Sequence, residues 1–410
     1  MKFLLKKTKA SVLQFALLVA VIVAFLLLSF ITLTHTKQLF KTQSEFLLQT
    51  ISESSNGILF TLEKDYLSDS TSQNDTLNIE ESFWGGYQKV VSSASRANFV
   101  IKSIALTGVK TSNSKKALYL EDNINPLVVV GDTRIEGLVF IPQNGVKAGS
   151  IAGKYYTGDQ VIYGPIQYSG SELPKLSSGF RSHIEGLLSG ALLYEFQREK
   201  ADKEVKNSFK NPPRVIETNG RFVIQGSATG NLFFKSNSEI IISNSALLKD
   251  VTIIAPKVRI EKGFKGRVNI VASDSIIVEQ QVNLEYPSSL VLLEKKHQES
   301  DAKPSILIAK ESRINGVVIY LKENEPEKPD TNIYLEDTAV IHGEVYCQGF
   351  FELQGTVEGT VYTHKFLTNA PGGRYINHIF GGKILAHKKE ENFCGIPLAL
   401  ASKGIVQWLY

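Results

Sequence analysis

Residues 10–34, ASVLQFALLVAVIVAFLLLSFITLT, form an apolar run without a charge, a proline or a glycine. As a helix such a run spans about 37 Å at ~1.5 Å per residue, more than a ~30 Å hydrocarbon core requires. A lone segment crosses lipid only as a helix, because every backbone polar group must be bonded internally. A cleaved signal peptide would show an apolar region of about 7–15 residues and a small-x-small exit. The exit here is Phe30-Ile31-Thr32-Leu33-Thr34-His35, so the pattern predicts an uncleaved transmembrane anchor. Beyond it, Phe40, Leu47, Ile51, Ile58 and Leu62 recur at steps of seven and four. That spacing predicts a helical stalk over residues 35–64, amphipathic and packed on its own domain. Ser54-Ser55-Asn56-Gly57 is expected to break or bend it.

Residues 65–210 read as a mixed α/β region. A surface loop is expected over residues 68–78, rich in Ser, Thr, Asn and Asp. Phe83-Trp84-Gly85-Gly86-Tyr87 follows; its aromatic group is either a carbohydrate-stacking surface or, by preference, a packing anchor. Residues 88–96 are a candidate short helix, and residues 99–107 and 117–120 read as strands. From Pro126 strands alternate with Gly145, Gly149, Gly153, Gly158 and Gly164, which mark tight corners. Residues 178–209 have helical spacing, with Leu187, Leu188, Leu192, Leu193 and Phe196 on one side. They predict an amphipathic helix closing at Asn211-Pro212-Pro213 and covering an open end or face of the strands that follow.

In residues 211–368 the period shortens to that of strands, and a phrase repeats: apolar-x-Gly-x-apolar. It occurs around Gly266, Gly316, Gly343 and Gly359. Val251-Thr252-Ile253-Ile254-Ala255 matches Val268-Asn269-Ile270-Val271-Ala272 at an offset of 17, and Gly343 matches Gly359 at 16. Short strands at this period suit a parallel β-helix, whose coils stack inward Val, Ile, Leu and Ala about 4.8 Å apart. Roughly seven to nine coils fit, with residues 297–304 and 322–330 as outward loops. An antiparallel sandwich would show hairpin turns without matching between coils. The fold class expected is mainly β: a right-handed parallel β-helix (solenoid), preceded by one N-terminal transmembrane helix and the mixed middle region. Residues 369–410 are expected to cap it.

Two resemblances attach to these motifs. The run from Ser312 to Lys365, with IHGEVYCQGFFELQGTVEGTVYTHKF at its heart, resembles bactofilins, polymer-forming cytoskeletal β-helix proteins. That resemblance implies a stacked wall used for assembly. The first ~60 residues, a basic start and a long apolar helix leading to a β-rich domain, are similar to pilin-like and pseudopilin-like proteins. Those families place a Gly before the apolar segment and a Glu at the fifth position after it; this chain has Ala10-Ser11-Val12-Leu13-Gln14-Phe15.

Charge then fixes orientation. Lys+Arg number 45 against 41 Asp+Glu, and Lys2, Lys6, Lys7 and Lys9 supply the whole excess before any acid appears. The positive-inside rule predicts residues 1–9 in the cytoplasm and the bulk outside it, in the periplasm if the cell has an outer membrane. The remainder is balanced, which argues against nucleic acid as a partner. The expected partners are the membrane and either other envelope proteins or further copies of the chain.

Candidate chemistry is sparse. His342, His364, His378 and His387 share no metal-ligand frame. Glu344 and Thr360 occupy equivalent positions, and Glu358 falls beside His342 across coils, which reads as a solvated charge pair. Neither Pro371-Gly372-Gly373-Arg374 nor Gly381-Gly382 is a phosphate loop. Cys347 and Cys394 are either two buried thiols or a disulfide closing a ~47-residue loop, worth about 3–4 kcal/mol. No catalytic residue, cofactor or metal is expected. The chain therefore reads as a membrane-anchored structural or assembly protein; the alternatives are a minor pilin-like or secretion-apparatus component and a carbohydrate-binding or carbohydrate-active β-helix protein.

Overall fold

The computed structural model describes residues 8–63, 76–110, 115–200, 202–295, 304–323, 330–399 and 401–409. The loop expectations for residues 68–75, 297–303 and 324–329 lie outside them, as do Lys2, Lys6 and Lys7. The chain is mainly β with one long apolar N-terminal helix.

That helix runs unbroken over Thr8–Glu63. It is long and apolar enough to cross a membrane, and its most apolar window is wholly unburied by the rest of the protein. The expected break at residues 54–57 does not occur, for a steric reason. Ser54 donates to Ser92 O at 3.1 Å and to Ser103 Oγ at 2.7 Å. A Cβ on Gly57 would lie 2.2 Å from Ser92 Oγ. The small residues bring the helix close to a sheet instead of ending it. Its buried face is Thr50, Ser54, Ile58 and Thr61. Of the apolar positions expected to bury, Phe40 and Ile51 stay exposed. Ser54 and Gly57 allow this approach, and Ile58 beside them is fully buried.

The sheet beneath the helix is antiparallel: Leu77–Trp84 pairs Tyr87–Arg96, which pairs Phe99–Lys110. Residues 88–96 are thus a strand and not a helix; alternation from Gln88 to Ser95 buries Val90, Ser92 and Ala94 on the side that meets Ile58 and Ile79. Cys394–Gly395 and Lys403–Leu409 both pair with Phe99–Lys110, so the tail returns to the sheet nearest the helix.

The rest is dominated by parallel pairing that closes into one hydrogen-bonded circuit. Register follows the sequence matches: Val251 pairs Val268 through Ala255 with Ala272, and Gly343 pairs Gly359. One inward column reads Ile253, Ile270, Leu290, Val318, Val345 and Val361, all fully buried in a continuous core. The glycines explain themselves here. A Cβ on Gly359 would lie 1.7 Å from Gly343 O, and one on Gly343 1.9 Å from Gly316 O. Gly316 and Gly343 also adopt positive φ, +147° and +149°. Gly266 stands outside this column, opposite Leu284.

The parallel layers extend past residues 211–368 on both sides. After Val361 the inward column passes to Leu118 and then Val139. His378–Phe380 pairs with Val128–Val130, and Lys383–Leu385 with Arg134–Glu136. Residues 116–141 therefore stack on the layer that ends near residue 385, although they precede it by more than two hundred residues in the chain. At the opposite end, Gln197–Arg198 and Glu204–Asn207 pair with Arg214–Val215 and Ser227–Gly230.

The helix expected over residues 178–209 is confined to Phe180–Ser189. Gly190 at φ +85° ends it by taking the left-handed conformation with its N–H on Leu187 O. Phe180, Ile184 and Leu187 pack into an outer apolar cluster with Val271, Val291 and Phe233. The helix covers a face of the strands, as its amphipathic pattern implied.

Candidate functional site

Two outward columns of the parallel layers carry the features with chemical character. The first reads Thr252, Asn269, Ser289, Val317, Glu344 and Thr360. Its lower part receives the Gly85-Gly86 turn of the antiparallel sheet. Gly86 N–H donates to Ser289 Oγ at 2.8 Å, and Ser289 Oγ donates to Asn269 Oδ1 at 2.7 Å. Trp84 is buried beside that turn, edge-on to Phe209 and Phe233 with centroids 5.1 and 4.8 Å away. It is a packing anchor; a stacking surface for sugar would need the ring exposed.

The upper part of the column is a buried charge cluster. Lys389 Nζ donates to Glu344 Oε1 at 2.9 Å and to Thr360 Oγ1 at 3.0 Å. Glu344 Oε2 accepts the Ile396 N–H at 2.9 Å, and Thr360 Oγ1 donates to Lys116 O at 2.7 Å. Both charged side chains are 4% exposed. The sequence marked Glu344 and Thr360 as equivalent positions; it gave no sign that Lys389 would join them, because the contact depends on where the tail crosses the wall.

The second column reads Ile319, Tyr346, Tyr362, Tyr119 and Phe140. Residues 169–177 cross it, with Tyr346 and Tyr119 hydroxyls donating to Pro174 O and Glu172 O at 3.1 Å each. Burial pushes the Tyr346 phenol up to about 12. Beside this crossing lies an open groove of about 680 Å³ lined by Glu121, Glu172, Arg181, Lys322, Tyr346 and Gln348, among others. Its lining mixes acids and bases.

The histidines stitch layers instead of gathering. His342 Nδ1 lies 3.3 Å from Glu358 Oε2, which also faces Lys388 through its other oxygen. His364 meets Glu121 at 3.0 Å, and His387 meets Glu136 at 2.8 Å. Among the described residues no three His, Cys, Asp or Glu side chains could hold a metal ion. The two cysteines are free thiols. Cys347 points into the inner core, where burial pushes it up to about 12. Cys394 lies on the tail strand, raised to about 11 by burial and then by Glu344. Of the two alternatives for this pair, the structure carries separate buried thiols. Lys9 falls within the helix, ahead of its apolar stretch.

Compared with protein-family models, with curated proteins and with solved structures, the chain matches none.

Proposed function

We propose that the chain is a membrane-anchored structural or assembly protein that presents a right-handed parallel β-helix, outside the cytoplasm, for contacts with other proteins or with envelope polymers. The observation that carries this reading is the plug of Gly86 into Ser289. It joins the anchor helix, through the sheet the helix packs on, to the wall of stacked strands. A rigid connection between membrane and wall is what a scaffold needs and what a diffusing enzyme does not. The in-register inward column supports the solenoid, and the four N-terminal lysines support a cytoplasmic N-terminus. Chemical crosslinking in intact membranes followed by co-purification tests it. Adducts formed through the strand wall support a scaffold, and recovery of the chain only as a free, unlinked species argues against one.

A second reading, a minor pilin-like component, draws support from one specific feature. The C-terminal part of the long helix packs through small residues on an antiparallel sheet, leaving the rest of the helix bare. It predicts crosslinks between anchor helices rather than between walls, which the same experiment separates.

A further inference from the structure

Among the described residues the stack contains one discontinuity. From Ile253 to Val361, each step of the inward column is taken in chain order. The step from Val361–Thr363 to Leu118–Leu120 is not: these strands pair in parallel although Leu118 precedes Val361 by 243 residues in the chain. A layer contact without a local covalent turn is held by its non-covalent contacts alone, and loop closure contributes little to its recovery once broken. Polar contacts concentrate at this seam. His364 pairs with Glu121, Asn123 Nδ2 donates to His364 O at 3.1 Å, and Asn377 Nδ2 donates to Asn123 Oδ1 at 2.7 Å.

The buried cluster lies beneath the same seam and crosses it at one hydrogen bond, from Thr360 Oγ1 to Lys116 O. Glu344 and Thr360 belong to the two layers below it and Lys116 to the layer above. Lys389, from the tail, bonds to the first two, and Thr360 continues the chain to Lys116 O. Lys116 is itself held between the Phe140 ring, 4.9 Å away and above the seam, and the Tyr362 ring, 5.6 Å away and below it. A buried pair of this kind resists partial disruption, because removing one partner leaves the other charge uncompensated.

We propose that this seam is the joint at which the stack opens, and that Lys389, seated on Glu344 and holding Thr360 towards Lys116 O, is the clasp that keeps it closed. Opening separates three parallel pairings, Val361–Thr363 from Leu118–Leu120, His378–Phe380 from Val128–Val130 and Lys383–Leu385 from Arg134–Glu136, without disturbing the continuous layers between Leu247 and Leu321. The tail thereby governs whether the layers of residues 116–168 remain part of the wall.

Hydrogen exchange on the full chain in detergent micelles tests this. In the wild type, amides of residues 118–120 and 361–363 should exchange at least tenfold faster than those of residues 253–255 and 270–272. In Glu344→Gln and in Lys389→Met the seam amides should accelerate a further tenfold, while the continuous layers stay unchanged. A third variant, Glu344→Gln with Leu118→Cys and Val361→Cys, should recover slow exchange when oxidised and lose it when reduced. Equal protection of both regions in the wild type would overturn the joint. Uniform acceleration of all layers in the single variants would overturn the clasp, as would no acceleration at all.

Discussion

The backbone N–H of Gly86 and the hydroxyl of Ser289, 203 residues apart, are joined by a 2.8 Å hydrogen bond. It is made where the Gly85-Gly86 turn of the antiparallel sheet meets the parallel wall. A Cβ on Gly86 would lie 2.7 Å from Val317 Cγ2 and 2.8 Å from Ser289 Cβ, and one on Gly85 would lie 2.5 Å from Asn269. The turn fits because it has no side chains.

Gly86→Val should therefore lift the turn out of the wall. A loss of about 3 kcal/mol is expected from overpacking together with the lost hydrogen bond. Ser289→Ala, which removes the acceptor of the Gly86 N–H and the donor to Asn269 Oδ1, should cost about 2 kcal/mol. Chemical denaturation of the two variants should rank them in that order.

At the helix, propensity and packing oppose each other. An Ala in place of a mid-helix Gly is worth about 1 kcal/mol in favour of the helix. At Gly57 the new methyl meets Ser92 Oγ at 2.2 Å. Gly57→Ala should thus destabilise despite its better propensity, and adding Ser92→Ala should recover most of the loss. A double-mutant cycle on thermal unfolding measures the coupling.

Gly359→Ala meets a backbone carbonyl, Gly343 O, which has no rotamer by which to yield. It should separate two coils and cost about 3 kcal/mol. Near-ultraviolet circular dichroism should report the loss of packing around Tyr346 and Tyr362, the adjacent pair in the outer column.

Acid should act through His183, which is lowered to about 4, first by burial and second by the nearby Lys89. A folded value below the ordinary 6.5 means that the unfolded chain binds the proton more readily. Its contribution to stability is full above pH 6.5, falls as pH drops towards 4 and is absent below that; it amounts to about 3 kcal/mol at most. His183→Gln should flatten the stability profile between pH 6.5 and 4, read as denaturation midpoints across that window.

The parallel ladder was legible because successive layers repeat an apolar phrase. The offsets of 16 and 17 in sequence are the pairings of Gly343 with Gly359 and of Val251 with Val268. The apolar anchor run was legible from length and hydropathy alone. What escaped was set by contacts distant in sequence. Residues 116–141 carry strand signals, but nothing local tells them to stack above Val361. Ser54 and Gly57 look like helix breakers, since their role depends on Ser92 across the interface. Lys389 resembles any tail lysine until the tail is laid over Glu344. The helix over residues 178–209 was overextended because the spacing of Leu192, Leu193 and Phe196 imitates a helix beyond the Gly190 stop.

The central claim is that the helix anchors a wall displayed outside the cytoplasm, and one labelling measurement addresses it. Tyr194 is 82% exposed, and both native cysteines are buried. Tyr194→Cys, treated with a membrane-impermeant maleimide on intact cells whose outer layers have been made permeable, should be labelled before lysis, and the labelled chain should sediment with the membrane. Labelling only after the inner membrane is broken, or a labelled chain left in the soluble fraction, would contradict it.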